Sequence, residues 1–257
     1  MAPTALVTGA SQGIGAAFAR SLAQRGHDVV LVARNREAME TLAEDIRGKG
    51  RTAEVIPADL TDRTELRKVE DRLSDAARPV DVLVNNAGFG TTGRFHEMPL
   101  DEEDREIRLN VLALMRLTHA ALPGMVERGK GGVVNVSSIA GFSPAPGNAT
   151  YCGTKAFVNS FSLSLHEEYR SHGITVLCVA PGATKTEWQA RAGYDDSAVP
   201  SFAWQSAEEV ADGSLRALDG KRALFVSGWT NKAMVAATHF APRSLLARIS
   251  GTVSRQV

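Results

Sequence analysis

The 257-residue chain has little cysteine, no net charge and no long apolar run, and each shortage excludes a class of protein. Its only cysteines, Cys152 and Cys178, form no CxxC pair or disulfide framework, as is typical of a reducing compartment. The 29 basic residues balance 29 acidic ones, so no basic excess attracts nucleic acid or an anionic membrane. No signal-peptide pattern opens the chain, and no window approaches the ~20 apolar residues of a membrane span. The six histidines lack metal-site spacing. We therefore expect a cytoplasmic protein with no membrane span, no bound metal and no nucleic-acid partner.

Short apolar runs alternate with longer amphipathic segments along the chain. Strands are predicted at residues 5–7, 29–32, 53–56, 80–84, 133–136, 175–179 and 224–226. Helices are predicted over residues 13–25, 36–47, 62–76, 102–128 with a kink near Pro123, 154–172 and 208–218. Strands separated by helices need crossover connections, which predicts a doubly wound, Rossmann-like α/β fold with a parallel sheet of about seven strands and helices on both faces. Ligands of such a fold bind beyond the carboxyl ends of the strands.

Two segments lack this regular alternation. Residues 187–206 have no periodicity and carry Trp188, Tyr194, Phe202 and Trp204, which favours a substrate-binding loop or lid. Residues 229–257 have a broken apolar pattern interrupted by Pro242, which predicts a C-terminal helical extension. The extension would pack against the body or a partner subunit, or would lie on a membrane surface. Residues 1–228 are predicted to be a single domain.

A glycine-rich turn, TGASQGIG at residues 8–15, follows the first strand and opens the first helix. The first glycine permits a tight turn, and the other two remove Cβ atoms where backbone approaches a ligand or packs on the strand. The helix offers N–H groups and a positive dipole end to a pyrophosphate. The alternative is a turn without a ligand. The predicted dinucleotide contacts here are Gly9, Ser11, Gln12, Gly13, Ile14 and Gly15.

Arg34 lies at the end of the second strand, where an acidic residue would hold the ribose 2′-hydroxyl of NAD. Ala33 cannot do this, whereas Arg34 can pair with the 2′-phosphate of NADP. A solvated arginine at a helix entry is the alternative. Asp59 follows the third strand, beside Leu60, and either accepts from an adenine amino group or caps the helix after Thr61.

Tyr151 and Lys155 are four residues apart and would share one face of a helix. A nearby cation, with the positive nicotinamide of an oxidised cofactor, would lower the pKa of the phenol from about 10 and suit it to proton transfer at a carbonyl or alcohol oxygen. Ser137 and Ser138 end the fifth strand, where a hydroxyl could bind the substrate oxygen. Asn110 lies within a predicted helix, where asparagine is a poor helix former, so a buried polar task or an exposed position would explain it.

Together these motifs resemble the short-chain dehydrogenase/reductase family over about residues 4–186. The matching residues are TGASQGIG at 8–15, Asp59, NNAG at 85–88, Asn110, Ser138, YCGTK at 151–155 and Pro181-Gly182. The resemblance implies that Tyr151 is the acid/base, that Lys155 binds the nicotinamide ribose and lowers the tyrosine pKa, that Ser138 orients the carbonyl and that Asn110 holds a proton-relay water. Further cofactor contacts are implied for Leu60, Asn86, Ala87, Gly88, Pro181, Gly182, Thr184 and Thr186.

The sequence therefore predicts an oxidoreductase that transfers hydride between NADP(H) and a carbonyl or alcohol, with Arg34 matching the NADP-preferring members of the family. Its substrate would be a small, apolar molecule, and the family resemblance implies a homodimer or homotetramer. The alternative function is a catalytically inactive NADP(H)-sensing protein with the same fold. The combination of Asn110, Ser138, Tyr151 and Lys155 favours the enzyme, because a sensor has no use for the serine and tyrosine.

Overall fold

A computed structural model describes residues 2–185 and 200–238, and its strands form one parallel sheet in the order β3-β2-β1-β4-β5-β6-β7. The strands are β1 Thr4–Thr8, β2 Asp28–Ala33, β3 Ala53–Pro57, β4 Val82–Asn85, β5 Gly131–Val136, β6 Ile174–Ala180 and β7 Leu224–Val226. The order of the strands reverses between β1 and β4, so the crevice of a doubly wound fold opens beyond the carboxyl ends of these two strands. The predicted fold is confirmed.

Helices connect the strands and cover both faces of the sheet. They are α1 Gly13–Gln24, α2 Arg36–Gly48, α3 Arg63–Leu73, α4 Leu100–Ile107, α5 Leu114–Arg128, α6 Ala149–Tyr169, α7 Ala207–Asp219 and α8 Trp229–Thr238. Successive strand residues point to opposite faces, so Val29 and Leu31 of β2 join one apolar core while Val30 and Val32 join the other. Burial on both faces explains the uninterrupted apolar runs of these strands.

The predicted helix over residues 102–128 is not regular. A π-helical segment, Arg108–Ala113, separates α4 from α5, and Pro123 lies within α5. The irregular turn therefore surrounds Asn110 rather than the proline. π-Helical turns inside α-helices are frequently found at functional sites.

One predicted helix start and one predicted cap are wrong. Helix α6 begins at Ala149 rather than at residue 154, so it contains Tyr151; its N-cap, Asn148, makes no side-chain capping bond and gave no sequence signal. Helix α3 begins at Arg63, and its cap is Asp62, whose carboxylate accepts from the N–H groups of Thr64 and Glu65. Asp59 instead accepts from the Thr61 N–H at 2.9 Å, so the interpretation of Asp59 as a cap is wrong.

One helical run, Leu100–Arg128, meets the length and composition of a membrane span, contrary to the expectation that no window would approach one. Its residues Leu117, Ala121 and Met125 are buried in the core against the sheet. The core helix of a globular domain has the same composition, so this run is weak evidence for a span.

The irregular insert and the C-terminal extension lie partly outside the described residues, which omit 186–199 and 239–257. In the described part of the insert, Gln205 exchanges backbone hydrogen bonds with Ala183 and Lys185 at 3.0 and 2.9 Å. This pairing attaches the end of the insert to the loop after β6. The first ten residues of the extension form α8, Trp229–Thr238, and the rest of the predicted extension lies outside the described residues.

A buried polar network joins the two central strands to the helices on one face. Asn85 donates from Nδ2 to Thr118 Oγ1 and to Asn135 Oδ1, each at 2.9 Å, and Asn135 donates to Ser162 Oγ at 3.0 Å. Asn135 is 0% exposed. The network fixes the ends of β4 and β5 relative to α5 and α6.

Asn135→Ala should lower the free energy of unfolding by about 2–4 kcal/mol, because it leaves the buried Asn85 amide and Ser162 hydroxyl short of partners. Chemical denaturation measures the change. Glu44→Ala, an exposed substitution on α2, is the control and should change stability by less than about 0.5 kcal/mol. Equal stability of the two variants would show that the network does not hold the strands together.

Candidate active site

The glycine-rich turn and the end of β4 are tied together at the crevice. Asn86 donates from Nδ2 to Thr8 O at 2.9 Å, and the backbone N–H groups of Asn86 and Ala87 both donate to Thr8 Oγ1 at 3.0 Å. Gly9 has φ +65°, and a Cβ on Gly15 would lie 2.2 Å from Gly9 O. The turn can therefore pack this closely only with glycine at both positions.

The start of α1 fits a pyrophosphate. The N-cap residue of this helix, Gln12, forms no side-chain capping bond to the first N–H groups. The residues Ser11, Gln12, Gly13 and Ile14 around this end are half-buried. A helix N-terminus exposed in this way beyond a β1–α1 turn is a favourable site for a phosphate group.

Arg34 lies at the rim of the crevice, after β2. Its side chain is exposed and forms no salt bridge with any residue in 2–185 or 200–238. Burial acts to raise the pKa of Asp59, but hydrogen bonds from Thr61 and the charge of Arg34 lower it below its usual value. The side chains of Arg34 and Asp59 are therefore near enough to interact electrostatically. The Leu60 side chain, by contrast, is buried in the core.

Tyr151 lies in the first turn of α6, beside Ser138 at the end of β5. The side chains of Ser138 and Tyr151 are hydrogen-bonded to each other. Ser138 Oγ also accepts a hydrogen bond from the Ala140 N–H at 3.1 Å, which fixes the serine side chain at the start of the turn after β5. Ser137 points elsewhere, since its hydroxyl donates to the Lys155 carbonyl at 3.0 Å. The structure thus brings together the serine and the tyrosine that the family resemblance selected.

Lys155 follows one helical turn after Tyr151 and is 6% exposed. Its Nζ donates to Val136 O at 3.0 Å and lies 5.6 Å from the centroid of the Tyr151 ring. Burial lowers the pKa of this amine to about 8, opposed by the negative charge of Glu106. The predicted proximity of phenol and ammonium is therefore present.

The sequence-based expectation of a lowered tyrosine pKa differs from what the polypeptide alone produces. Desolvation raises the pKa of Tyr151 to about 12, with Ser138 acting in the opposite direction and Glu106 adding to the increase. The protein's own groups therefore favour a protonated phenol, which is the form that donates a proton to a carbonyl oxygen.

Asn110 is 1% exposed, so the alternative of an exposed helix position is wrong. Its Oδ1 accepts from Phe89 N at 3.1 Å, and its Nδ2 donates to Phe89 O at 2.7 Å and to Thr154 Oγ1 at 3.2 Å. The side chain therefore fastens the loop after β4 to α6. These contacts engage both amide hydrogens of Asn110, and the proton-relay water that the family resemblance implies for this residue stays a prediction.

The remaining predicted cofactor contacts lie in the loops after β4 and β6. A Cβ on Gly88 would lie 2.9 Å from Asn110 Oδ1 and 3.5 Å from Lys155 Nζ, so Gly88 borders the amine. Pro181 O accepts from Ile139 N at 3.0 Å, and Gly182 packs against the Asn231 side chain. Thr184 is 4% exposed, and Thr186 lies outside the described residues.

Sequence reasoning missed two buried acids on α4. Glu103 and Glu106 are 5% and 0% exposed, and both contact Thr91 in the loop after β4. Burial raises the pKa of Glu106 to about 7. Glu106 precedes Asn110 by four residues, and this helical spacing is the one sequence signal that could have placed it near the site.

Comparison with known proteins assigns the family. The sequence model of the short chain dehydrogenase family matches residues 3–196 of this chain. A very-long-chain 3-oxoacyl-CoA reductase from Anas platyrhynchos is 40% identical over 69% of this chain, and the match spans 58% of that protein. A short-chain dehydrogenase from Sphingobium yanoikuyae, solved with NADPH, is 39% identical over 95% of this chain and 94% of its own, with a TM-score of 0.86.

A further solved structure agrees with these matches. The bulky-bulky ketone specific alcohol dehydrogenase from Comamonas testosteroni is 35% identical over 92% of both chains, with a TM-score of 0.80. The family match covers most of the chain, including the turn at Gly9 and the Ser138, Tyr151 and Lys155 cluster. The chain therefore belongs to the short-chain dehydrogenase/reductase family of oxidoreductases.

Proposed function

We propose that the protein is an NADP(H)-dependent reductase of ketones or aldehydes, reversible as an alcohol dehydrogenase, with Tyr151 as its acid/base. The observation that carries the proposal is the set of contacts that joins Ser138, Tyr151 and the buried Lys155 at the carboxyl edge of the sheet. The alternative, an NADP(H)-sensing protein without chemistry, requires neither the serine–tyrosine hydrogen bond nor a lysine buried beside the phenol.

The cofactor would lie across the carboxyl ends of β1 and β4. The uncapped start of α1 would bind its pyrophosphate, Arg34 its 2′-phosphate, and Asp59 its adenine amino group. Lys155 would hold the nicotinamide ribose, close to Gly88. Support for NADP over NAD comes from the exposed guanidinium of Arg34 and from the Sphingobium relative, which was solved with NADPH.

The bound cofactor would supply a hydride to the carbonyl carbon. Ser138 would donate a hydrogen bond to the carbonyl oxygen and so orient it beside the phenol. Tyr151 would transfer its proton to that oxygen as the alcohol forms, and the Lys155 ammonium would stabilise the resulting phenolate. In the oxidation direction the phenolate would take the alcohol proton. Asn110 would act as a positioning residue, through its hydrogen bonds to Phe89 and Thr154.

The substrate would be a bulky, apolar carbonyl compound. Phe202 and Trp229 stack with ring centroids 6.4 Å apart, and they are 67% and 73% exposed. Phe202 lies three residues before Gln205, whose backbone pairs with Ala183 and Lys185 in the loop after β6, at the carboxyl edge of the sheet. The named substrates of the relatives, a very-long-chain 3-oxoacyl-CoA and bulky ketones, support an apolar class.

We further propose that the protein forms a homodimer or homotetramer in the cytoplasm. Leu112 and Met115 are 44% and 37% exposed near the junction of the π-helical segment and α5. Phe157 and Phe161 stack at 5.4 Å on α6, which packs beside that segment. Exposed apolar surface of this kind is typical of association with another subunit. The two unpaired cysteines support a reducing compartment.

Tyr151→Phe should lower turnover of a bulky ketone by about 10²–10⁴-fold, because the proton donor is removed, while NADPH binding is retained. Initial rates of NADPH oxidation and fluorescence titration with NADPH measure the two properties. Tyr169→Phe, near the end of the same helix, is the matched control and should keep its activity. Unchanged turnover in Tyr151→Phe would contradict the acid/base role.

Arg34→Ala should weaken NADPH binding by about tenfold or more and leave NADH binding nearly unchanged, because only NADPH carries the 2′-phosphate. Dissociation constants for both dinucleotides give the comparison. Arg67→Ala, a substitution at an exposed arginine of α3, controls for the loss of positive charge. Equal weakening of NADPH and NADH by Arg34→Ala would argue against phosphate recognition by this residue.

Light scattering coupled to size exclusion should give a mass two or four times that of the chain. Phe157→Glu should shift the protein toward the monomer, because it places a charge in the proposed subunit interface. Phe95→Glu, at a residue 61% exposed outside this surface, should leave the mass unchanged. A monomeric wild-type protein would refute the oligomer.

A further inference from the structure

The buried acids of α4 share one hydroxyl group. Thr91 Oγ1 lies 2.6 Å from Glu103 Oε1 and 3.1 Å from Glu106 Oε2. The Thr91 N–H donates to Glu106 Oε2 at 3.0 Å, and Thr150 Oγ1 donates to the other oxygen of Glu103. Both carboxyl groups are therefore buried, and both are hydrogen-bonded to the loop after β4.

This arrangement favours an additional proton. A threonine hydroxyl has one hydrogen, and an ionised carboxylate can only accept. With both acids ionised, the single Thr91 hydrogen would be shared between two negative oxygens, whereas protonation of one acid lets that acid donate to the threonine oxygen. Like charges in a shared buried site favour the same result, since one of the two carboxyls then titrates well above its usual range.

Glu106 is the acid that acts on the catalytic pair. Its Oε1 lies 3.5 Å from Asn110 Nδ2, and Asn110 borders Gly88 next to the Lys155 amine. The charged or titratable groups that act on Glu106 or respond to it are Glu103 on its own helix and Tyr151, Cys152 and Lys155 on α6. Of these groups, Lys155 is the cation, and its Nζ donates a hydrogen bond to the neutral backbone carbonyl of Val136.

We propose that Glu106 is a positioning residue that carries the exchangeable charge opposite Lys155 and thereby sets the protonation of the Tyr151–Lys155 pair. The inference rests on the proposed function, because the pair must be the one that moves the proton. Glu106 does not touch the substrate in this account; it acts through the electrostatic potential at the amine and the phenol.

The direction of the effect follows from the charges. An ionised Glu106 raises the pKa of Lys155 and raises the pKa of Tyr151. Because the pKa of Glu106 itself lies at about 7, its charge changes near neutral pH. A neutral group at this position should lower both pKa values and make the phenolate accessible at a lower pH.

The first test is the pH profile of alcohol oxidation with NADP⁺, which needs the phenolate. In Glu106→Gln the acidic limb of kcat/KM should move to lower pH by about one unit. Glu102→Gln makes the same chemical change on the same helix, at a side chain 44% exposed, and its profile should match the wild type. An unmoved limb in Glu106→Gln overturns the inference.

The second test is independent of turnover. The pKa of Glu106 is raised from 4.5 to about 7, so the folded protein binds a proton that the unfolded chain releases between these values. This group therefore costs stability progressively as the pH rises through that window. Relative to wild type, Glu106→Gln should gain roughly tenfold or more in its folding equilibrium constant between about pH 5 and about pH 8.

A glutamate with only a structural role would give the same stability difference at both pH values, and that result also overturns the inference. Thr91→Val is the second variant if Glu106→Gln does not fold. It removes a hydrogen bond that lowers the pKa of Glu106, so Glu106 stays neutral to higher pH and the kinetic limb should move in the same direction. A wild-type protein without turnover would refute the proposed function, whereas the stability comparison would still test the proton on Glu106.

Discussion

The site depends on the burial of one ammonium group. Lys155 is buried near the start of α6, and its Nζ donates a hydrogen bond to the Val136 carbonyl at 3.0 Å. Burying a charge is costly unless hydrogen bonds and an opposite charge offset the loss of hydration. The backbone at the end of β5 supplies the hydrogen bond, and Glu106 supplies the opposite charge. The phenol of Tyr151 shares this environment, so the same burial sets the proton affinity of both groups.

The parallel sheet explains how residues far apart in the chain meet at this amine. Strands β1, β4, β5 and β6 run in the same direction, so their carboxyl ends deliver Gly9, Asn86, Ser138 and Pro181 to one edge. Short backbone contacts then lock these ends together, as when the Thr8 hydroxyl accepts from two N–H groups after β4. Positioning by rigid strand ends gives the precision that acid/base geometry needs.

Sequence patterns predicted the fold and much of the site because their signals are local. Apolar runs such as Val29–Val32 report burial on both faces, and the glycines of the β1–α1 turn report close backbone approach. The four-residue spacing of Tyr151 and Lys155 placed them on one helix face, although the predicted helix began after the tyrosine. That boundary failed because Asn148 directs its side chain to the loop at Thr91 and Thr92 instead of capping α6.

Other features depend on tertiary contacts and left little trace in the sequence. The π-helical turn contains Asn110, whose side chain is hydrogen-bonded to the Phe89 backbone, and it does not include Pro123. The pKa of Tyr151 follows from desolvation, which spacing does not report. The sequence alone gives Glu106 the pattern of an ordinary charged residue on an exposed helix. It is buried because the folded chain packs around it, including the loop after β4.

A crystal structure of the protein with NADP⁺ tests the central claim most directly. The account predicts that the pyrophosphate lies at the start of α1, that the nicotinamide ribose accepts a hydrogen bond from Lys155, and that the nicotinamide ring faces the hydroxyl of Tyr151. A dinucleotide bound away from the β1–α1 turn, or a nicotinamide ring turned away from Tyr151, would contradict it.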